Sequence, residues 1–469
     1  MNIESKRIIR VLIGLCILFI SLIVYLSYFE IFSAAKVESN SYNKRQWLNE
    51  ESVIRGKILD RNGNVLVYSE KKDDNQIRYY KYGSLYSHII GYSYKEYGKS
   101  GLEATYNNEL LDLSDLNPIN DIKNIISDKE TNGNDIMITI DHDVQKYASK
   151  LLNGRKGSIV MMNPKTGEIY TMISYPSFNP STLKDDWEEI IEDTNSPLLN
   201  RATMGMYTPG SIFKVITATT ALQHENIQTE YKCKGSVNID GYILSDYKGE
   251  AHGDVDLEKA LAESCNVAFS QIGLSLGQER LRDAAEDYYI NKLIPFDLKT
   301  SRSLFSTKNM TKADLGATAI GQGKTLVTPL NMAMVASAIA NDGEMIKPVL
   351  VKEVIAGNGK VIKQNKTEVL TKTSSTEISN KIKDMMVKVV DEGTGKNARI
   401  RNISVAGKTG TAENETGKEH AWFIGFAPAD DPEVAIAVIL ENSGSTGGKV
   451  AAPIARDIMI KMLNKLKLY

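Results

Sequence analysis

The sequence predicts an α+β fold whose central sheet draws its strands from distant parts of the chain. Three observations predict it. Strand patterns occupy 135–140, 157–162 and 168–174 and return at 403–411, 420–427 and 433–441. Alanine-rich helical patterns fill the interval, at 211–224, 256–276 and 328–341, and a last helix is expected over 452–466. The length of 469 residues, 42% of them hydrophobic, is enough for two or three domains and a sizeable core. The net charge of -2 gives no reason to expect nucleic acid as a partner.

In chain order, residues 11–29 are uncharged and mostly Leu, Ile and Val, long enough to cross a bilayer. Lys6, Arg7 and Arg10 precede them, so the positive-inside rule places the N-terminus in the cytoplasm and everything after Glu30 outside. Ser33-Ala34-Ala35 resembles a signal-peptidase site, but the apolar run exceeds a usual signal core, so an uncleaved anchor is expected. A polar spacer, 36–51, leads to two strands within 53–67 joined by an Asn-Gly turn. Asp60, Asn62 and Asn64 have the spacing of calcium-loop ligands, yet Val65 stands where that loop requires glycine, so calcium is rejected. The Tyr-rich stretch 79–97 reads as partly buried strands, and 110–134 as a linker. The strand at 135–140, a helix after Asp141 and a hairpin around Asn163-Pro164-Lys165-Thr166-Gly167 follow.

Chemistry first surfaces at Tyr207-Thr208-Pro209-Gly210-Ser211-Ile212-Phe213-Lys214. A turn at Pro209-Gly210 opens a helix whose only charge is Lys214. A helix apolar nearly all round is expected to be buried, where an unpartnered ammonium is costly and its pKa falls. Ser211 and Lys214 stand at i and i+3, with the serine at the positive end of the helix dipole. A hydroxyl beside a depressed-pKa amine is one solution to acyl transfer without histidine. Alone, the pattern is short and frequent, and reads as a capping serine with a snorkelling lysine.

Two further triplets change that balance. Ser264-Cys265-Asn266 ends a helical pattern, and Lys408-Thr409-Gly410 lies on a strand, followed by Thr411. In this order, S-x-x-K, S-x-N and K-T-G make a strong set. The chain here resembles the penicillin-binding proteins and serine β-lactamases, and more closely the membrane-anchored class B penicillin-binding proteins, monofunctional D,D-transpeptidases of peptidoglycan synthesis. The resemblance runs from about Arg55 to Ile454. It includes the stretch from Arg55-Gly56 to Asn62-Gly63, Gly101-Leu102-Glu103, Gly321-Gln322-Gly323 with Thr328-Pro329-Leu330, His420-Ala421-Trp422-Phe423-Ile424-Gly425 and Ala452-Pro453-Ile454. No glycosyltransferase-like region fits between the anchor and the transpeptidase.

The resemblance implies an antiparallel sheet flanked by helices, and this division of the chain: a cytoplasmic tail at 1–10, an anchor at 11–32, a spacer with a β-rich, dimerisation-type pedestal and linker at 33–133, and a transpeptidase domain at 134–469. It implies Ser211 as the nucleophile toward the penultimate D-Ala of a stem peptide, and Lys214 as its base. Ser264 would relay a proton to the leaving D-Ala, Asn266 would orient Lys214, and Lys408 would supply positive potential. Thr409 and Thr411 would bind the terminal carboxylate, while Gly410 leaves room for the substrate. The N–H groups of Ser211 and Thr411 would form an oxyanion hole, each donor worth about 3–4 kcal/mol in other enzymes. Stem peptides and β-lactams are the expected ligands, no cofactor is required for the acyl transfer, and no deacylating glutamate is identifiable. A polytopic glycan polymerase of the SEDS type is the expected partner, with the Tyr-rich pedestal as its contact. The alternatives are a D,D-carboxypeptidase, in which water replaces the acceptor amine, and a β-lactam sensor or non-catalytic cell-wall scaffold. Sensors usually carry several membrane helices, which disfavours sensing.

Two Gly-Lys-Thr triplets invite a phosphate-binding reading, but the glycine required five residues earlier is Thr318 in one and Asn402 in the other. Cys233, Asp246, His252 and Cys265, separated by twelve, five and twelve residues, form a second candidate site. Two thiolates, an imidazole and a carboxylate suit tetrahedral zinc in a structural role. A Cys233–Cys265 disulfide fits the same pair, as do two small buried residues with a surface histidine, and Asp254 could take the place of Asp246.

Overall fold

The structure, a computed structural model, describes residues 3–30, 32, 53–72, 75–112, 131–306, 308–414 and 417–469. Its centre is set by strands that read as continuous apolar runs. β5 (Gly157–Met162) is buried at every position and pairs antiparallel with β6 (Ile169–Tyr175) across the expected Pro-Lys-Thr-Gly turn. Strands without polar-apolar alternation must be covered on both faces. Here β13 (Ala406–Ala412), β14 (His420–Ala427) and β15 (Val434–Leu440) complete a five-stranded antiparallel sheet in the order β6-β5-β15-β14-β13. One face packs under α3 (His142–Leu152) and the C-terminal helix α9 (Gly447–Lys465), through Val144, Leu152, Ile159, Phe423 and Ile458. The other packs against α7 (Pro329–Ala340), through Val160, Met334 and Phe426, and α4 (Lys214–Leu222) joins the same core cluster through Ile216. The expected sheet of distant strands is thus present, with the hairpin of β5 and β6 at one side and the strands from the last quarter at the other.

The C-terminal helix starts at Gly447, a turn earlier than its sequence pattern suggests. Glycine has poor helix propensity, but a Cβ at Gly447 would sit 2.0 Å from the Trp422 carbonyl oxygen, so close packing on β14 selects it.

A second sheet lies nearer the N-terminus. Its strands are β1 (Ile58–Leu59), β2 (Val65–Lys72), β3 (Asn75–Tyr80), β4 (Asp135–Ile138), β11 (Val351–Ile355) and β12 (Val361–Gln364), in the order β12-β11-β4-β1-β2-β3. The β1–β4 pair is parallel and the others antiparallel. Strands from both sides of residue 134 therefore share one hydrogen-bonded ladder. At the β1–β2 turn, Asp60 Oδ1 accepts from the backbone N–H groups of Asn62 (2.9 Å) and Asn64 (2.8 Å), and Oδ2 from Asn64 Nδ2 (2.9 Å). The carboxylate closes the turn. Buried Glu103 on α2 (Gly101–Thr105) receives Arg55 Nε at 2.5 Å and Arg78 Nε at 2.8 Å.

The Tyr-rich stretch departs from expectation. Only Tyr79 and Tyr80 lie on β3 and Tyr94 on a two-residue strand, whereas Tyr82, Tyr86, Tyr92 and Tyr97 lie on turns, a 3₁₀ helix and loops. Tyr92 packs edge-on to Phe178 and Tyr97 stacks on Trp187 at 4.3 Å, so aromatic packing overrides strand propensity. The apolar stretch Arg7–Phe29 is helical, unburied and 23 residues long, about 35 Å at 1.5 Å per residue, which suffices to cross a membrane. The spacer at 36–51, the Ser33-Ala34-Ala35 site and linker positions 113–130 lie outside the described residues.

Candidate active site

Gly210, at φ 56°, lets the chain turn after Pro209, and a 3₁₀ turn (Gly210–Phe213) leads into α4. Every residue from Lys214 to Ala221 is buried, as the apolar pattern requires, while Ser211 stays partly exposed. Neighbours hold this turn. Gly210 N–H donates to the Gly321 carbonyl at 2.9 Å, and a Cβ at Gly321 (φ 75°) would lie 2.1 Å from the Gly210 oxygen. Trp422 Nε1 donates to the Thr208 carbonyl at 3.1 Å. Glu441 accepts from Tyr207 Oη (2.6 Å) and Arg201 Nε (2.7 Å), a brace that no sequence motif signals.

The single helix expected over 256–276 is two: α5 (Leu257–Ala262) and α6 (Asn266–Leu276). Ser264 between them has φ 58°, the left-handed region. Two caps compete with helix continuation here: Cys265 Sγ accepts from Ala268 N–H at 3.3 Å, and the Asp246 carboxylate accepts from Asn266 N–H. The break turns both the carbonyl and the hydroxyl of Ser264 toward Lys214. Lys214 Nζ donates to Ser264 O (2.5 Å), Asn266 Oδ1 (2.6 Å) and Ser264 Oγ (3.3 Å). Asn266 is itself oriented by Nδ2 donating to Ser245 O at 3.0 Å.

On β13, Lys408 Nζ donates to Ser264 Oγ (2.8 Å) and to the Thr409 carbonyl (3.1 Å). Two fully buried amines therefore bracket one hydroxyl. Burial pulls Lys214 down to about 8, against the opposing charge of the Asp246 carboxylate. Burial first, and the charge of Lys214 second, hold Lys408 well below the usual lysine range. Gly410 faces the nucleophile turn: a Cβ there would lie 3.0 Å from Pro209 O and 3.1 Å from Ile212 Cγ2. Thr411 is likewise apposed to that turn, its carbonyl 2.7 Å from where a Gly210 Cβ would sit. Thr409 Oγ1 lies 2.7 Å from Thr394 Oγ1, a partner missed in the sequence. All eight residues expected for acyl transfer thus lie on three adjoining segments: the 3₁₀ turn with the start of α4, the α5–α6 break, and β13.

The second candidate site also assembles. Cys233 on β7 (Tyr231–Cys233), Asp246 just after β9 (Tyr242–Ser245, paired with β8, Ser236–Ile239), His252 just before β10 (Gly253–Val255) and Cys265 bring their donor atoms within 4.8 Å of one another. Asp246, not Asp254, is the carboxylate: Asp254 is exposed and lies outside the cluster. Both cysteines are unlinked in the structure. Cys233 Sγ to His252 Nδ1 is 3.4 Å, Cys265 Sγ to Asp246 Oδ2 is 3.5 Å and His252 Nδ1 to Asp246 Oδ2 is 3.6 Å. Ligand–ligand edges of about 3.3–3.8 Å follow from tetrahedral zinc distances. Cys233 Sγ to Asp246 Oδ2, at 2.9 Å, is shorter than these. Backbone N–H groups of Gly235 and Ala268 point at the two sulfurs, as outer-shell donors to thiolates do.

Residues 157–460 match the penicillin binding protein transpeptidase domain, and 55–136 the penicillin binding protein A dimerisation domain. The chain belongs to the class B penicillin-binding proteins. Among members of this family, it is 33% identical to the peptidoglycan D,D-transpeptidase PbpA of Mycolicibacterium smegmatis, over 97% of this chain and 98% of that one. It is 28% identical to the D,D-transpeptidase MrdA of Acinetobacter baumannii, over 84% of this chain and 68% of the relative. Its fold is similar to penicillin-binding protein A from M. tuberculosis in an imipenem acyl-enzyme complex, with a TM-score of 0.83 and 30% identity, covering 89% of this chain and 100% of that one. As a class B penicillin-binding protein, it has the transpeptidase architecture that its motifs imply.

Proposed function

We propose that the protein cross-links peptidoglycan by D,D-transpeptidation through an acyl-enzyme on Ser211. The observation that carries this reading is the convergence of two buried amines, Lys214 and Lys408, on Ser264 Oγ beside the Ser211 turn. With its pKa near 8, Lys214 has a substantial neutral fraction and can take the proton of Ser211 Oγ as that oxygen attacks the carbonyl of the penultimate D-Ala. Charge then develops on the carbonyl oxygen between the N–H groups of Ser211 and Thr411. Ser264 Oγ, hydrogen-bonded to both amines, passes a proton to the departing D-Ala nitrogen as the C–N bond breaks. An arriving terminal carboxylate favours the charged form of Lys408 and takes hydrogen bonds from Thr409 and Thr411. An amine from a second stem displaces Ser211 and forms the new amide. A β-lactam acylates the same oxygen without releasing its leaving group.

Intact-protein mass after exposure of the ectodomain to penicillin tests this reading. One adduct of penicillin mass is expected, absent from Ser211→Ala; rapid turnover without a lasting adduct would instead mean a hydrolase.

Three companion readings complete the proposal. Helix α1 (Ile3–Phe29) anchors the chain at 11–32, behind a cytoplasmic tail at 1–10, with the pedestal (33–133) and the transpeptidase region (134–469) outside. The partly exposed Tyr68–Tyr79 stack across β2 and β3 offers the pedestal's aromatic contact for a glycan polymerase. A pedestal deletion that keeps polymerase binding would refute that contact. Acyl transfer itself needs no cofactor. Cys233, Asp246, His252 and Cys265 fit a structural zinc ion, whose role is to tie β7, β9 and β10 to the start of α6.

A further inference from the structure

The geometry points to Thr394 as a positioning residue that, by donating its hydroxyl hydrogen to Thr409 Oγ1, turns the Thr409 hydroxyl hydrogen toward the terminal carboxylate of the donor peptide.

Thr394 stands between Gly393 and Gly395, just after α8 (Thr376–Asp391), and is exposed at the edge of the site. Its Oγ1 lies 2.7 Å from Thr409 Oγ1. One hydrogen occupies that contact, and either oxygen can supply it. If Thr409 supplies it, only lone pairs of Thr409 remain for an approaching carboxylate, and the encounter is repulsive. If Thr394 supplies it, Thr409 keeps its hydrogen for the anion, and a hydroxyl that accepts one bond is polarised into a better donor of another. The Lys408 ammonium does not settle the choice, since on this residue it reaches the Thr409 carbonyl rather than its hydroxyl.

The backbone around Thr394 is built to hold this pose. Thr394 N–H donates to Ala262 O at 3.3 Å and Gly395 N–H to Val389 O at 2.9 Å. A Cβ at Gly393 would meet Ala262 O at 2.2 Å, and one at Gly448 would meet Thr394 O at 2.4 Å. Residues 393–395 are thus clamped between the end of α5, the end of α8 and the start of α9. Ala262 lies two residues before Ser264, so one short loop registers the S-x-N turn against the K-T-G strand. Because Thr394 is exposed, its hydroxyl serves no need of the core.

This inference rests on the transpeptidase reading, and the experiment separates the two. A thioester stem-peptide analogue whose leaving group carries the carboxylate is used as donor, and acylation and transfer to an acceptor amine are timed separately in Thr394→Val and Thr394→Ser. The carboxylate leaves with the thiol when the Ser211 ester forms. Thr394→Val is therefore expected to lower acylation efficiency about tenfold, the effect of one hydrogen bond to a charged group. Transfer from the acyl-enzyme to the amine should be unchanged, and Thr394→Ser should restore acylation. Equal slowing of both steps, wild-type acylation by Thr394→Val, or failure of serine to rescue would each overturn the assignment alone. A wild-type enzyme that forms no acyl-enzyme would overturn it together with the transpeptidase reading.

Discussion

Lys214 shows what a single residue can be made to do by its surroundings. Among the described residues, its hydrogen bonds go to uncharged oxygens of Ser264 and Asn266, so burial is offset by hydrogen bonds and not by a directly bonded counter-ion. A proton acceptor with a pKa near 8 works only when deprotonated. The rate of Ser211 acylation by penicillin should accordingly fall about tenfold for each pH unit below 8 and level off above it. A profile flat from about pH 6.5 to 9 would remove Lys214 from the base role. Ser211, Lys214, Ser264, Asn266 and Lys408 were legible in the sequence because each sits in a short pattern whose chemistry is unusual for its setting, above all a lysine in an apolar helix. Thr394 was not, because a threonine between two glycines reads as any loop, and its meaning comes only from a partner fifteen residues away across the fold.

At the scale of elements, the interruption between α5 and α6 matters more than either helix. The apolar pattern of 256–276 is continuous, so periodicity alone reads through the break at Ser264; what stops the helix is a pair of caps, one from Cys265 itself and one from Asp246, twenty residues upstream. Strands β5, β6, β13, β14 and β15 were legible within a few residues because they are long and apolar. β11 and β12 form a hairpin outside the expected strand patterns, and only β11 reaches the rest of the sheet, through β4. The cluster that includes Asp246 and Cys265 belongs to this same element. If zinc occupies it, chelation should lower the melting temperature of the ectodomain by several degrees, as loss of a ligand held at 1,000 times its Kd removes about 4 kcal/mol. Cys233→Ser should lose the metal and insensitivity to chelator should follow. A purified protein free of zinc, or a mass showing the two cysteines linked, would dismiss the metal.

For the molecule as a whole, the buried Arg55–Glu103–Arg78 group joins the pedestal's first strand region to α2. Burial raises the Glu103 carboxyl, but the two guanidinium groups outweigh it and leave the net pKa below the ordinary 4.5. Glu103→Gln keeps the shape and strands two buried cations, a change that costs about 3–5 kcal/mol at neutral pH. Because the folded pKa is depressed, this stabilisation is complete above 4.5 and is lost as pH falls through the lower folded value. Denaturant titrations of wild type and Glu103→Gln should therefore differ at pH 7 and converge in acid. Equal midpoints at pH 7 would make the group ornamental.

The ladder that joins strands from both sides of residue 134 also governs where such a chain can be divided. Severing it there would take β1, β2 and β3 away from β4 and leave a fresh row of unpaired N–H and C=O groups, an invitation to self-association. The smallest self-sufficient catalytic unit thus begins upstream of β1. Exchange of catalytic regions between enzymes of this build, by recombination or by design, should therefore carry β1, β2 and β3 together with β4, β11 and β12.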